Sequence, residues 1–292
     1  MPNPQLDAIL AQVRAAPFDP LIPEARRREQ IDRLSEVFPA PADVAVTAVT
    51  LGGVPGERLV AAPGGPIVLY FHGGGYVMGS PRSHRHLAAR LAADIAGEVY
   101  VPDYRLAPEA PFPAALDDAL AAYRALVALS PERPIALAGD SAGGGLVFAA
   151  AVAIRDAGLP APAALVGISP WVNLGTENAS YDQLAAADPM LSRAACDYFS
   201  SRYLAGRPAR DPGASPLFAP LAGLPRTLIQ VGDRECFFGD AALMHQTLIA
   251  AGVDTELRVW KAMFHVWHIY WPILPQGRDA IAEIAAFLTQ AP

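Results

Sequence analysis

Residues 135–156, IALAGDSAGGGLVFAAAVAIRD, decide the fold. Ile135–Ala138 is a short apolar run and reads as a strand. From Ala142 to about Asp156 the chain is rich in Ala and apolar residues and reads as a helix. Between them Gly139-Asp140-Ser141-Ala142-Gly143 fits G-x-S-x-G. A tight strand-to-helix turn lifts a serine hydroxyl clear of the backbone, and small residues on either side let the chain pass without clashes. The start of the helix also leaves unpaired N–H groups next to that serine. A glycine-rich turn that binds phosphate, or simply turns, is the competing reading of the pentapeptide alone. The strand before it and the helix after it argue against that reading.

Outward from this turn, β-branched runs alternate with helical stretches. Toward the N-terminus lie a strand at Pro66–Phe71, a helix near Ser83–Ala96, a strand at Glu98–Val101 and a helix near Pro113–Leu129. In that last helix Leu116, Leu120, Tyr123 and Val127 recur at helical spacing and are expected to face the sheet. Val46–Leu51 and Arg58–Ala62 read as a hairpin, with Gly52, Gly53, Pro55 and Gly56 in its turn. Toward the C-terminus come strands at Ala164–Ile168, Thr227–Val231 and Thr255–Val259, the last two separated by a helix near Asp240–Ala251, and a final helix near Gly277–Thr289. The alternation calls for an α/β fold with a mostly parallel sheet and helices on both faces. Residues 1–44 and 175–215 do not fit it and are expected to form a helical cap. The expected organisation is an N-terminal cap segment 1–44, a core 45–174, a cap insertion 175–215 and the rest of the core at 216–292.

Composition narrows the function classes. Hydrophobic residues make up 52% of the chain against 17% charged, enough for a large core and unlike a disordered protein. The formal net charge is −7 with no long basic run, which gives no footing for nucleic acid. No apolar run reaches the roughly 18 residues of a membrane span. The first 20 residues lack a basic region followed by an apolar one, so no signal peptide and a cytoplasmic location are expected. Two cysteines, Cys196 and Cys236, fit a reduced protein, and the sequon at Asn178 is then a chance match. No clustered Cys/His spacing suggests a metal, and no cofactor is expected.

His72-Gly73-Gly74-Gly75 directly follows the apolar strand ending at Phe71. Consecutive glycines let backbone N–H groups approach a substrate closely, as an oxyanion requires. This motif together with Gly139–Gly143 resembles the hormone-sensitive-lipase family of α/β-hydrolases, which includes many bacterial carboxylesterases. Asp103–Glu109 (DYRLAPE), Ser215–Ala219 and Leu224-Pro225 extend the similarity from about Ala45 to the C-terminus. The resemblance implies an α/β-hydrolase sheet of about eight strands and a serine esterase acting on a small-molecule ester. It implies Ser141 as nucleophile, with Gly73, Gly74 and Ala142 as oxyanion donors. His72 is expected to orient the loop, beside Gly75, Gly139, Asp140 and Gly143 as motif residues. It leaves oligomeric state open, with a homodimer as one expectation.

The fold's chain order is nucleophile, acid, histidine. After the strand at Thr227–Val231 the candidate acids are Asp233, Glu235 and Asp240. Alignment with the family's Asp-Pro-Leu segment puts Glu235 at the acid position, with Asp233 as runner-up. His265, after Met263-Phe264, matches the family's histidine loop, while His268, His245, His84 and His86 read as structural. Short to medium acyl esters are the substrates the resemblance favours, with Phe18 and the aromatics of 180–205 lining the pocket. Lactone or amide hydrolysis on the same machinery is the alternative. A non-catalytic receptor of the same fold is a more remote one, because such relatives lose the histidine.

Overall fold

A computed structural model gives the structure of the chain and describes residues 3–290. Residues 1–2 and 291–292 of the expected first and last segments lie outside it. Eight strands form one sheet: β1 (Ala45–Leu51), β2 (Val54–Val60), β3 (Ile67–Phe71), β4 (Glu98–Pro102), β5 (Ile135–Asp140), β6 (Leu165–Ile168), β7 (Thr227–Gly232) and β8 (Thr255–Trp260). Their order across the sheet is β1-β2-β4-β3-β5-β6-β7-β8. Strands β1 and β2 pair antiparallel, as do β2 and β4, and all other neighbours are parallel. The second strand of the hairpin begins at Val54, four residues before the expected Arg58. Gly52-Gly53 alone makes the turn, and Pro55 and Gly56 are drawn into the ladder opposite Thr50 and Val49.

Ten α-helices and two short 3-10 turns, Pro216–Phe218 and Trp267–Tyr270, complete the described chain. The first three are α1 (Pro4–Arg14), α2 (Glu24–Asp32) and α3 (Leu34–Val37). The rest are α4 (Pro81–Asp94), α5 (Ala114–Leu129), α6 (Ala142–Asp156), α7 (Ser180–Gln183), α8 (Arg193–Leu204), α9 (Phe238–Ala250) and α10 (Pro275–Thr289). The period-2 alternation of β3 sorts the core. Val68 and Tyr70 pack with Leu87 and Leu91 of α4 and Ile281 and Ile284 of α10. Ile67, Leu69 and Phe71 pack on the opposite face with Leu126 of α5, Leu146 of α6 and Met244 of α9. Such a sheet, covered on both faces, buries β3, β5, β6 and β7 completely.

The face that α5 turns to the core includes the expected residues and is wider than they are. Ala115, Ala119, Ala122, Tyr123 and Leu126 are buried, whereas Leu116, Leu120 and Val127 flank them half-buried. The helix lies close to the β1–β2 turn: a Cβ on Gly52 would stand 2.8 Å from the carbonyl carbon of Ala121. So close an approach leaves room for no more than a small side chain at Ala121. The N-terminal segment is divided in its contacts. Leu6, Ile9 and Leu10 of α1 pack on Met263, Phe264 and Trp267, while Glu24 of α2 pairs with Arg202 of α8 at 2.6 Å.

Candidate active site

In an open α/β sheet, ligands meet the C-terminal ends of the strands. Three such ends converge here. Ser141, after β5, has φ 53° and ψ −121° and stands at the N-terminus of α6. Its N–H donates to the Ile168 carbonyl at 2.9 Å, and its carbonyl accepts from Trp171 N–H at 2.8 Å and Gly145 N–H at 3.0 Å. These bonds hold a backbone conformation that costs a non-glycine residue on the order of 1–3 kcal/mol. Gly143 is required beside it, because any Cβ there would collide with the carbonyl oxygen of Phe71.

His265 Nε2 lies 2.9 Å from Ser141 Oγ, and its Nδ1 lies 2.7 Å from Glu235 Oε2. A carboxylate can only accept, so it fixes the proton on Nδ1 and leaves Nε2 free to accept from the serine hydroxyl. Glu235 is fully buried. Its other oxygen accepts from Ser169 Oγ at 2.8 Å and from Gly232 N–H at 2.6 Å. Phe237 stands edge-on to the His265 ring, 5.0 Å between centroids, and stacks on Trp171 at 5.7 Å. Ser141, His265 and Glu235 therefore form one hydrogen-bonded line with its acid end sealed from water.

The other candidate acids lie elsewhere. Asp233 Oδ1 accepts from Ala262 N–H at 2.7 Å, a bond across the loop. Asp240 accepts from Asn178 Nδ2 at 2.9 Å. Burial raises Asp240 from 3.8 to about 6. Burial lowers His72 and His268 to about 3 and His86 to about 4, so these rings are neutral near pH 7. Burial also pushes the Cys236 thiol up to about 12, which leaves it a packing residue rather than a nucleophile. Among the described residues, no group of three or more His, Cys, Asp or Glu is arranged to hold a metal ion. No described helix is long and apolar enough to cross a membrane.

The glycine loop corrects one expectation. The N–H of Gly73 is turned inward, shared between Asp140 Oδ1 at 3.1 Å and His84 Nε2 at 3.3 Å, and is not available to a substrate. The N–H groups of Gly74, Gly75 and Ala142 donate to no other described group. His72 holds the loop from within: its Nδ1 lies 2.8 Å from Gly73 O, its ring stacks on Tyr104 at 4.2 Å, and Tyr104 Oη donates to its carbonyl at 2.6 Å. Asp140 also accepts from Tyr70 Oη at 2.7 Å and faces His84 Nε2 at 3.3 Å. Burial pushes the Asp140 carboxyl up, but the His84 and Tyr70 contacts outweigh it and hold it below the usual range.

Sequence reasoning missed Ser169. This buried residue, at φ 45°, donates to Glu235 and accepts from Val266 N–H at 3.1 Å, bracing acid and histidine loop together. Its one signal in the sequence is a polar residue directly after β6, where site residues gather.

Comparison with known proteins agrees with this architecture. Residues 68–269 match a family described as alpha/beta hydrolase fold. The chain is 46% identical over 271 residues to an acetyl-hydrolase of Streptomyces hygroscopicus, covering 91% of this chain and 89% of that one. It is 32% identical to an esterase of Acinetobacter venetianus, covering 90% and 88%. A crystal structure of an esterase from the bacterial hormone-sensitive lipase family superposes with TM-score 0.93 at 42% identity, over 99% and 98% of the two chains. The chain belongs to the α/β-hydrolase family, in its bacterial hormone-sensitive-lipase group. It is an enzyme of the carboxylesterase type.

Proposed function

We propose that the chain hydrolyses short- to medium-chain carboxylic esters through an acyl-enzyme on Ser141. The observation that carries this reading is the line Ser141 Oγ–His265–Glu235, at 2.9 and 2.7 Å. His265 takes the serine proton as Oγ attacks the ester carbonyl and then delivers it to the leaving alcohol. Water deacylates the enzyme by the same route in reverse, while Glu235 holds the tautomer and stabilises the imidazolium. The N–H groups of Gly74, Gly75 and Ala142 receive the oxyanion at the positive end of α6. No cofactor enters this scheme.

Residues 1–44 and 175–215 act together as the cap and shape the substrate pocket. In support, Phe18 lies edge-on to Tyr198 at 5.1 Å and to Phe199 at 5.5 Å, and Phe199 abuts Gly75. The test is hydrolysis of p-nitrophenyl esters from acetyl to lauroyl by wild type, Ser141→Ala, Glu235→Ala and Asp233→Ala. The expected result is cleavage of the short esters, no covalent turnover in Ser141→Ala, and a loss of about 10³–10⁴-fold in Glu235→Ala. Asp233→Ala stays within a few-fold of wild type. Folded wild-type enzyme that cleaves nothing in the series overturns the proposal.

A further inference from the structure

Cys236, the residue that follows Glu235, is gripped at both its main-chain N–H and its carbonyl by side chains from the 175–215 segment. Asp188 Oδ2 accepts the N–H of Cys236 at 2.8 Å, and Ser180 Oγ donates to the Cys236 carbonyl at 2.6 Å. Asp188 and Ser180 are both buried. Asp188 also uses its second oxygen, which accepts from Met190 N–H and Leu191 N–H at 2.9 Å each. Its carboxylate therefore faces three main-chain donors and, among the described residues, pairs with no cation. Asn178, two residues before Ser180, completes the grip by reaching Asp240 on α9.

We propose that Asp188 and Ser180 are positioning residues for ester hydrolysis. The cap insertion holds the Glu235 loop in register, so that the carboxylate meets His265 in line. This inference rests on the reading of Glu235 as the triad acid. The physical case is one of lever and distance. Glu235 reaches His265 at the end of a long side chain whose backbone leaves β7 only three residues earlier. Its anchors on the core side, Ser169 and Gly232, fix one oxygen. The direction of the chain at Cys236 is set by Asp188 and Ser180. A loop freed from that clamp lets the carboxylate shift by a fraction of an ångström to about an ångström, and displacements of that size cost up to about 10²-fold in rate.

The chemistry of Asp188 makes the test sharp. Both of its oxygens face N–H donors, so an asparagine of the same shape must turn its NH₂ toward one of them. Asp188→Asn is therefore disruptive despite being isosteric. The experiment is a double-mutant cycle with p-nitrophenyl acetate: wild type, Asp188→Asn, Glu235→Ala and the double variant, each checked for folding by circular dichroism and thermal melting. Asp188→Asn is expected to lower kcat by about 10- to 100-fold with KM within about twofold. In the Glu235→Ala background it is expected to cost almost nothing more, because the group it positions is gone. Equal fold-losses in both backgrounds, a change in KM alone, or wild-type activity in Asp188→Asn each overturn the clamp. High activity in folded Glu235→Ala overturns the acid reading instead. Ser180→Ala runs through the same cycle as the milder substitution: a several-fold loss of kcat that vanishes without Glu235 supports the proposal, and an undiminished one opposes it. It also supplies the result if Asp188→Asn does not fold.

Discussion

The N–H of Gly73 is bonded to the buried carboxylate of Asp140 at 3.1 Å, so the loop that flanks the nucleophile is tied to the residue preceding the nucleophile itself. Strand ends β3 and β5 are thereby joined by a side-chain bond as well as by the sheet ladder. Asp140→Ala leaves the Tyr70 hydroxyl without an acceptor and the Gly73 amide with only the longer contact to His84 Nε2 at 3.3 Å, in a buried site. Hydrogen bonds to a charged group contribute about 1.5–3 kcal/mol each. The variant should lose several kcal/mol of stability and about 10²-fold in kcat as the loop drifts. Asp140→Asn keeps an oxygen for both donors and should lose clearly less on both counts. Urea melts and p-nitrophenyl acetate kinetics on the two variants check this ordering.

Gly75 sits at φ +63°, and a Cβ there would stand 2.8 Å from Phe199 Cγ. Gly75→Ala therefore combines left-handed strain of about 1–2 kcal/mol with a clash against α8. Because Gly75 N–H is one of the proposed oxyanion donors, kcat should fall by about 10²–10³-fold. Phe199→Ala removes the clash but loses its own burial, so the double variant should be less destabilised than the sum of the two single variants, while activity stays low. Thermal melts of the single and double variants separate the two effects.

Arg28 joins the N-terminal segment to the core with a planar fork. Its Nε donates to Val77 O at 2.8 Å and its Nη2 to Ala107 O at 2.9 Å, while Glu109 takes both Nη atoms at 2.9 and 2.7 Å. Lysine presents one point charge and cannot meet three acceptors in a plane, so Arg28→Lys should cost nearly as much as Arg28→Ala, about 2–4 kcal/mol. Glu109 is largely exposed, and Glu109→Ala should cost about 0–1 kcal/mol. Limited proteolysis and amide exchange across residues 3–44 should accelerate in the arginine variants and not in the glutamate one.

Much of this architecture was legible in the chain because local pattern and global role agree. The run Ile135–Ala138, the glycines around Ser141 and the apolar helix beyond state the same turn three times over. Glu235 could be preferred to Asp233 by position, and the structure separates the two by their bonds to His265 and Ala262. The fate of the Gly73 amide was not legible. It depends on a carboxylate 67 residues away that only the assembled sheet brings beneath the loop. The same limit hid Ser169, whose partners sit on two other loops. On α5, Leu116, Leu120, Tyr123 and Val127 do pack on the core as their spacing indicates, but the alanines that lie deepest beside them carry no signal that local pattern can read. Pro55 and Gly56 read as turn formers because their propensities are real, yet pairing to β1 and β4 overrides them.

Asp240 supplies a test of how burial is tolerated beside the acid loop. Its Oδ1 takes Asn178, while its Oδ2 is buried with no partner among the described residues. Burial raises its carboxyl from 3.8 to about 6, with the asparagine bonds pulling against the rise and Glu177 adding to it. The folded protein therefore holds this proton at pH values where the unfolded chain has lost it. Its contribution to stability is fully present below about pH 4 and declines as pH rises through about 6, a change on the order of 3 kcal/mol. Asp240→Asn keeps the Oδ1 acceptor and abolishes the titration, at the cost of one buried N–H without a partner. Stability relative to wild type should then improve between about pH 4 and pH 6 and level off by pH 7, by about 3 kcal/mol in total, whatever the offset at pH 4. Urea melts of both proteins at half-unit intervals measure that slope. A flat difference means that Asp240 is ionised in the folded protein at no penalty, held by a donor that reaches its Oδ2.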